Sequence, residues 1–424
     1  MKKKRLEYID VLRSIAIIMM LEGHFMTLSL QSVFRDNQNP IYELWKFSRG
    51  LTAPLFLCIS GLIFTYLLLS NKVQGWHNPR VKKGIKRISL LVLLGYLLQV
   101  NLNSFFFRDR PLLTSLTQIF HILQCIGTSL FILIILYLLK IYILKIPFGI
   151  LLLSLGIFVI IFSPTLHEAN FSNFPRMIEN IFIISKNKTL ERSVFPLFPW
   201  AGYVFLGGSL GTLITILKDY AHHYLFPVTL ILVGLLCKHL IYFVLESLQL
   251  LPLFNTLEPF QYQYEPVRFC QILVFIGVVI LAHKIIVYAS KNITFRMNKT
   301  TIYTLLGICF SVGSYLFTKE IKTTNQTLTA YLLFFSPIVI TLWLTTRCNY
   351  NTFLTIGQNT LSVYVFHVVI LYRGFFGFKL GGFFKDQLTP FYAITGAIIF
   401  VFFFLAYTQY TPILMNKIYR LSRK

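Results

Sequence analysis

Apolar runs long enough to cross a bilayer recur along the whole chain, and this limits the fold more than any other feature. They cover about 11–30, 50–70, 88–106, 116–139, 146–163, 195–217, 224–243, 267–289, 300–318, 328–346, 353–373 and 390–412. Roughly 20 apolar residues span the hydrocarbon core as a helix. Lipid offers the backbone no hydrogen-bond partners, so such runs must be helical. A membrane β-barrel would instead show short alternating segments, and none is present. Composition agrees: only 13% of residues are charged against 56% hydrophobic, too few to cover a water-facing surface. The expected fold is an all-α, polytopic membrane bundle of about 10–12 transmembrane helices. Residues 1–424 read as a single domain, because no link is long enough to hold a separate soluble one.

The net charge of +24 does not indicate a nucleic-acid partner. The basic residues sit in short links between apolar runs, the pattern of the positive-inside bias. Lys2, Lys3, Lys4 and Arg5, then Lys72, Arg80, Lys82, Lys83, Lys86 and Arg87, then Lys417, Arg420, Arg423 and Lys424 all fall on one side when about twelve spans are counted. That side is expected to be the cytoplasm, with both termini inside and the link 164–194 outside. The six cysteines are scattered, without CxxC zinc spacing or a disulfide framework. No metal site is expected. Glu22 and His24 interrupt the first apolar run and no small-residue cleavage site follows, so an uncleaved helix is expected rather than a signal peptide.

Polar residues inside spans are costly, and each is a candidate for function. The first span holds Asp10, Arg13, Glu22 and His24. Arg13 and His24 are eleven positions apart, three helical turns plus roughly 20°, so they share a face about 16 Å apart along the axis. Asp10 and Arg13 are placed for a local ion pair, and Glu22 points to the opposite face from Arg13. Arg49 opens the second span at a depth comparable with His24. The bland readings are a snorkelling arginine for Arg13, a boundary arginine for Arg49 and a helix-bracing histidine for His24. By span counting, His121 and His367 lie about as deep as His24, so all three histidines are able to converge on one cavity or else brace helices. Trp200, Tyr203 and Tyr364 suit a sugar face or a plain aromatic belt equally well.

Several segments resemble known families. Arg13, ten residues, then His24 on a first helix resembles the membrane-embedded acyltransferase type three family, as do Ser48-Arg49, Ala53-Pro54-Leu55-Phe56 and Ile59-Ser60-Gly61. His121-Ile-Leu-Gln124-Cys-Ile-Gly127 and Phe195-Pro196-Leu-Phe-Pro199-Trp200-Ala-Gly202-Tyr203 resemble the related heparan-α-glucosaminide N-acetyltransferase catalytic-domain family. Ile356-Gly357-Gln358-Asn359, continuing to Tyr364 and His367, is similar to a late helix of both groups. Arg13 is followed by Ser14 where the usual pattern has glycine. No counterpart of the lysosomal enzyme's histidine-bearing outer loop is found, so His24 follows the bacterial pattern.

The resemblance implies a multi-pass protein of a bacterial inner membrane that transfers an acyl group, usually acetyl, from cytoplasmic acyl-CoA to a carbohydrate outside. Acyl-CoA would be a co-substrate, with no tightly bound cofactor; the acceptor would be a glycan or lipid-linked sugar. Arg13, Lys82, Lys83, Lys86 and Arg87 would hold the CoA end. His24 would be the general base, near neutrality by its ordinary pKa, or would briefly carry the acyl group. Arg49 would meet the developing oxyanion. His121, Gln124, Trp200, Tyr203, Tyr364 and His367 would line the cavity or acceptor site. The competing class is a transporter or flippase of a sugar or lipid-linked glycan, which about twelve spans with buried charges also suit; thioester cleavage separates the two. A structural or sensory protein is the weaker third reading. The absence of a glycine-rich phosphate loop argues against ATP-driven chemistry.

Overall fold

A computed structural model describes residues 6–100, 119–169, 171, 174–184, 193–249, 259–292, 350–373 and 380–421. Its helices are α1 (Glu7–Ser29), α2 (Pro40–Leu69), α3 (Pro79–Leu97), α4 (Ile122–Tyr142), α5 (Phe148–Glu168), α6 (Arg176–Phe182), α7 (Leu197–Ile216), α8 (Lys218–His222) and α9 (Leu225–Gln249). Then come α10 (Pro259–Asn292), α11 (Tyr350–Gln358), α12 (Thr360–Val368), a π-helical turn at Val369–Arg373, α13 (Leu380–Phe384) and α14 (Pro390–Leu421). No β-strand occurs among the described residues.

Eight of the described helices are long and apolar enough to cross a membrane: Glu7–Ser29, Ile41–Leu69, Ile122–Tyr142, Phe148–His167, Leu197–Ile216, Leu225–Ser247, Tyr264–Tyr288 and Pro390–Thr411. They match eight of the expected spans, including those carrying Lys238 and His283. The expected spans 300–318 and 328–346 lie outside the described residues, as does the end of 88–106. The chain is therefore an all-α, multi-pass membrane protein.

Two expectations change. The run 353–373 is not one straight span: α11 and the segment Thr360–Arg373 meet at a 73° bend. The break falls at Asn359, whose φ of −101° and ψ of 28° leave the helical region. Just before it, Gly357 packs so closely on α1 that a Cβ would collide with Ser14 Oγ and the Asp10 carbonyl. The second half of the link 71–87 is helical, because α3 begins at Pro79. Asn78 caps it, its side chain accepting from Arg80 N at 2.9 Å, and proline is well suited to the first helical position.

The chain divides into two compact units. One gathers 1–52, 275–372 and 379–424; the other gathers 53–274 and 373–378. In the first unit α1 packs against α11, α12, α13 and α14. Val11, Ala16, Ile17 and Leu21 are fully enclosed, and a stretch apolar on every face, such as Ile15–Leu21, belongs in an interior. The His24 end of α1 is clasped to the turn before α14: Leu388 N donates to Ser29 O at 2.8 Å and Gln31 N to Leu388 O at 3.0 Å. Arg35 pairs there with Asp386.

In the second unit α7 is central, packed on α4, α5 and α6. Its glycines let backbones touch: a Cβ at Gly207 would overlap the Cys58 carbonyl, and one at Gly211 the Leu62 carbonyl. Small residues at such crossings are how membrane helices gain close van der Waals contact. The turn before α3 is tied to α4, with Gly75 N donating to Tyr137 Oη at 3.1 Å and Trp76 N to Tyr142 Oη at 3.0 Å. Gly75 has φ +68°, which glycine adopts without strain.

Candidate functional site

The first unit brings four polar side chains around His24. Its Nδ1 lies 2.9 Å from Tyr372 Oη. Its ring centroid is 5.1 Å from that of His367 and 5.7 Å from that of Tyr372. Tyr364 stands edge-on to His367 at 5.1 Å. His24 Nε2 makes no hydrogen bond among the described residues. Tyr372 reaches His24 from the π-helical turn, a local widening frequent at functional sites.

Arg49 completes the cluster. Gly23, the residue before His24, leaves the space its side chain occupies: a Cβ there would lie 2.9 Å from Arg49 Cδ. Arg49 Nε donates to Thr27 Oγ1 at 2.6 Å, and Thr27 Oγ1 donates to Gly23 O. That chain fixes the guanidinium plane. Nη1 and Nη2 donate to no described group, so they remain available to an anionic oxygen. Glu22 accepts from Trp45 Nε1 at 2.7 Å. It also lies within electrostatic reach of Arg49.

His367 is fully enclosed. Its Nδ1 is 3.3 Å from Val363 O, which only accepts, so Nδ1 carries the proton and Nε2 the lone pair. That Nε2 is buried without a partner among the described residues.

At the other end of α1 the expected ion pair forms, Arg13 Nη1 lying 3.5 Å from Asp10 Oδ1. Arg13 Nη2 also donates to Thr360 Oγ1 at 3.2 Å, at the start of α12. Arg13 is thus held toward the same helix that carries His367.

The remaining sequence candidates belong to the second unit. His121 is the N-cap of α4. Gln124 turns back to accept from His121 N at 2.7 Å and also accepts from Gln99 Nε2 at 3.2 Å, a bracing role. Trp200 meets the rings of Phe195 at 4.9 Å and Tyr203 at 6.2 Å in tilted contacts, and its indole N–H is buried without a partner among the described residues. Tyr203 is fully buried and donates to the Glu265 carboxylate. Lys82, Lys83, Lys86 and Arg87 are all exposed on α3, whose buried face is Val81, Gly84, Ile88 and Leu91.

Sequence reasoning missed Tyr372, Gly23, Thr27, Glu265 and Arg268. Glu265 and Arg268 had a signal, being ionisable residues at the head of an apolar run. Arg268 is buried, donating to Tyr264 Oη at 2.8 Å and Gln271 Oε1 at 3.2 Å. Tyr372 had no such signal, because its partner lies 348 positions away.

Among curated proteins none matches the chain. The model of one family, described as heparan-alpha-glucosaminide N-acetyltransferase, catalytic, matches residues 5–246, more than half of the chain. The match takes in Arg13, His24, Arg49, the α3 cations, His121, Trp200 and Tyr203, and ends before His367 and Tyr372. The chain belongs to the heparan-alpha-glucosaminide N-acetyltransferase catalytic-domain family, a family of acyltransferases embedded in the membrane.

Proposed function

We propose that the protein moves an acyl group, acetyl in the simplest case, from cytoplasmic acyl-CoA to a carbohydrate acceptor on the outer side of a bacterial inner membrane. The observation that carries this reading is the pairing of His24 with an Arg49 guanidinium whose Nη donors are unengaged among the described residues. Acyl transfer needs those two groups together. An acceptor hydroxyl or amine must lose a proton as it attacks, and an imidazole serves as base near neutral pH. The thioester oxygen gains charge in the same step and needs preorganised donors. His24 acts as the base through Nε2 when Nδ1–H donates to Tyr372 Oη. Arg49 neutralises the oxygen. The thiolate leaves as CoA when the tetrahedral intermediate collapses, and the proton follows it.

Acyl-CoA phosphates stay at the inner mouth, since uncompensated charge does not enter hydrocarbon. Within the first unit Arg13 is the group offered to them, and the exposed cations of α3 are a separate candidate. No tightly bound cofactor is required. Incubating membranes with labelled acetyl-CoA and identifying the labelled product tests the reading. Label should appear in carbohydrate and depend on His24; label confined to unreacted donor overturns it.

The broken span at Asn359 favours one alternative, because transporters build substrate sites from interrupted helices. A transporter or flippase of a sugar would leave the thioester of acetyl-CoA uncleaved by the purified protein.

A further inference from the structure

Protein interiors rarely leave a polar atom without a partner, and each exception calls for an explanation. His367 Nε2 is such an exception. The side chain is fully enclosed, its Nδ1–H is committed to Val363 O, and the Nε2 lone pair meets no donor among the described residues. A phenylalanine or leucine would fill the position without that desolvation cost. The neighbouring ring is that of His24, the two ring centroids lying 5.1 Å apart with their planes tilted by 37°.

We infer that His367 is the positioning partner of His24 and takes a share of the proton that His24 accepts. This rests on the acyl-transfer reading and extends it. A base is effective when a third group orients it and accommodates the charge it acquires. His24 has Tyr372 at Nδ1 to fix its orientation. Among the described residues no carboxylate is bonded to His24, and Glu22 accepts instead from Trp45. A neutral imidazole with its tautomer set as Nδ1–H presents a buried lone-pair acceptor. Catalytic hydrogen bonds are often long without substrate and tighten in the complex.

The step balances without further reactants. As the acceptor oxygen bonds to the thioester carbon, its proton passes to His24 Nε2. The new N–H of His24 is shared with His367 Nε2 while the tetrahedral oxyanion faces Arg49. When the C–S bond breaks, the proton returns through His24 to the departing thiolate. The products are the acylated acceptor and CoA.

Both imidazoles must then be neutral before the reaction starts. The other titratable or charged groups around the pair are Glu22, Arg49, Tyr364 and Tyr372. All four remain when His367 is replaced, so a change in proton stoichiometry counts His367 alone.

The test is the pH dependence of CoA release from acetyl-CoA by purified protein in detergent, for wild type, His367→Phe and His367→Gln. On the acid side, kcat/KM of the wild type should fall by about 100-fold per pH unit, the signature of two protons. In both variants it should fall by about tenfold per unit, with a plateau at least tenfold lower. Thermal stability of His367→Phe should equal or exceed wild type, which a structural histidine would not show. His367→Gln keeps the polarity should the phenylalanine variant fail to fold. A wild-type acid slope of one proton, or an unchanged slope in the variants, overturns the relay while leaving acyl transfer standing. No CoA release by wild type removes the acyl-transfer reading and the relay with it.

Discussion

Arg49 lies across Gly23, its Cδ only 2.9 Å from where a Cβ of residue 23 would be. The smallest residue of α1 therefore stands directly before its histidine and sets where the guanidinium rests. Gly23→Ala should move that guanidinium without unfolding the helix, since alanine is the better helix former. Loss of a single oxyanion donor typically costs about 10²–10³ in kcat. A displaced one should cost about tenfold or more, with donor KM unchanged. The CoA-release rate of a monodisperse Gly23→Ala preparation measures it, and a rate within twofold of wild type would separate Arg49 from the chemistry.

His24→Ala should remove transfer while leaving expression and CoA binding nearly intact. A general base contributes about 10²–10⁴-fold in rate. His121 sits at the N-cap of α4, and His121→Ala should keep most of the activity. Near-normal turnover of His24→Ala beside a dead His121→Ala or His367→Ala would show that the base is not on α1.

Sidedness is open to direct chemistry. Gln74 is exposed in the turn before α3, on the side that the charge bias assigns to the cytoplasm. Gln74→Cys should resist an impermeant thiol reagent in intact cells and react after permeabilisation. Labelling in intact cells would reverse the orientation and with it the cytoplasmic donor.

The donor end predicts a KM effect. Arg13→Ala and the double-alanine variants of Lys83 with Arg87 and of Lys82 with Lys86 should divide into binding and spectator groups. Each lost contact to a CoA phosphate should cost about 1.5–3 kcal/mol, roughly ten- to hundred-fold in donor affinity. The effect should weaken in high salt and leave the chemical step alone. Because all four α3 cations are exposed, solvent screening puts their contribution at the lower end. Arg13, held by Asp10 and Thr360, should give the larger change. Unchanged donor KM in all three would move the transporter reading ahead.

A structural prediction comes from α7. Gly207→Ala would put a Cβ into the Cys58 carbonyl, a backbone atom that cannot swing aside. The helices must separate, at a cost of about 1–3 kcal/mol or more. The thermal midpoint in detergent should fall clearly, whereas Gly149→Ala, which meets only the Thr212 side chain, should be mild.

The sequence by itself determined the class of fold and one helix face. Runs of apolar residues longer than the bilayer is thick leave the backbone no choice but helix. The fixed angle per residue places Asp10, Arg13 and His24 relative to one another whatever surrounds them, and the Asp10–Arg13 pair forms as that angle requires. Periodicity carries no information about residues on different helices. Only the tertiary structure decided that Tyr372 meets His24, that His367 lies buried beside it, and that Gly23 makes room for Arg49. The same holds for the size of the bend at Asn359: Gly357 and Asn359 permit a break, but the 73° turn goes with the close seat of Gly357 on α1. It holds again for the meeting of Gln124 with Gln99. In each case the deciding energy is packing between segments up to hundreds of residues apart, which no local pattern records.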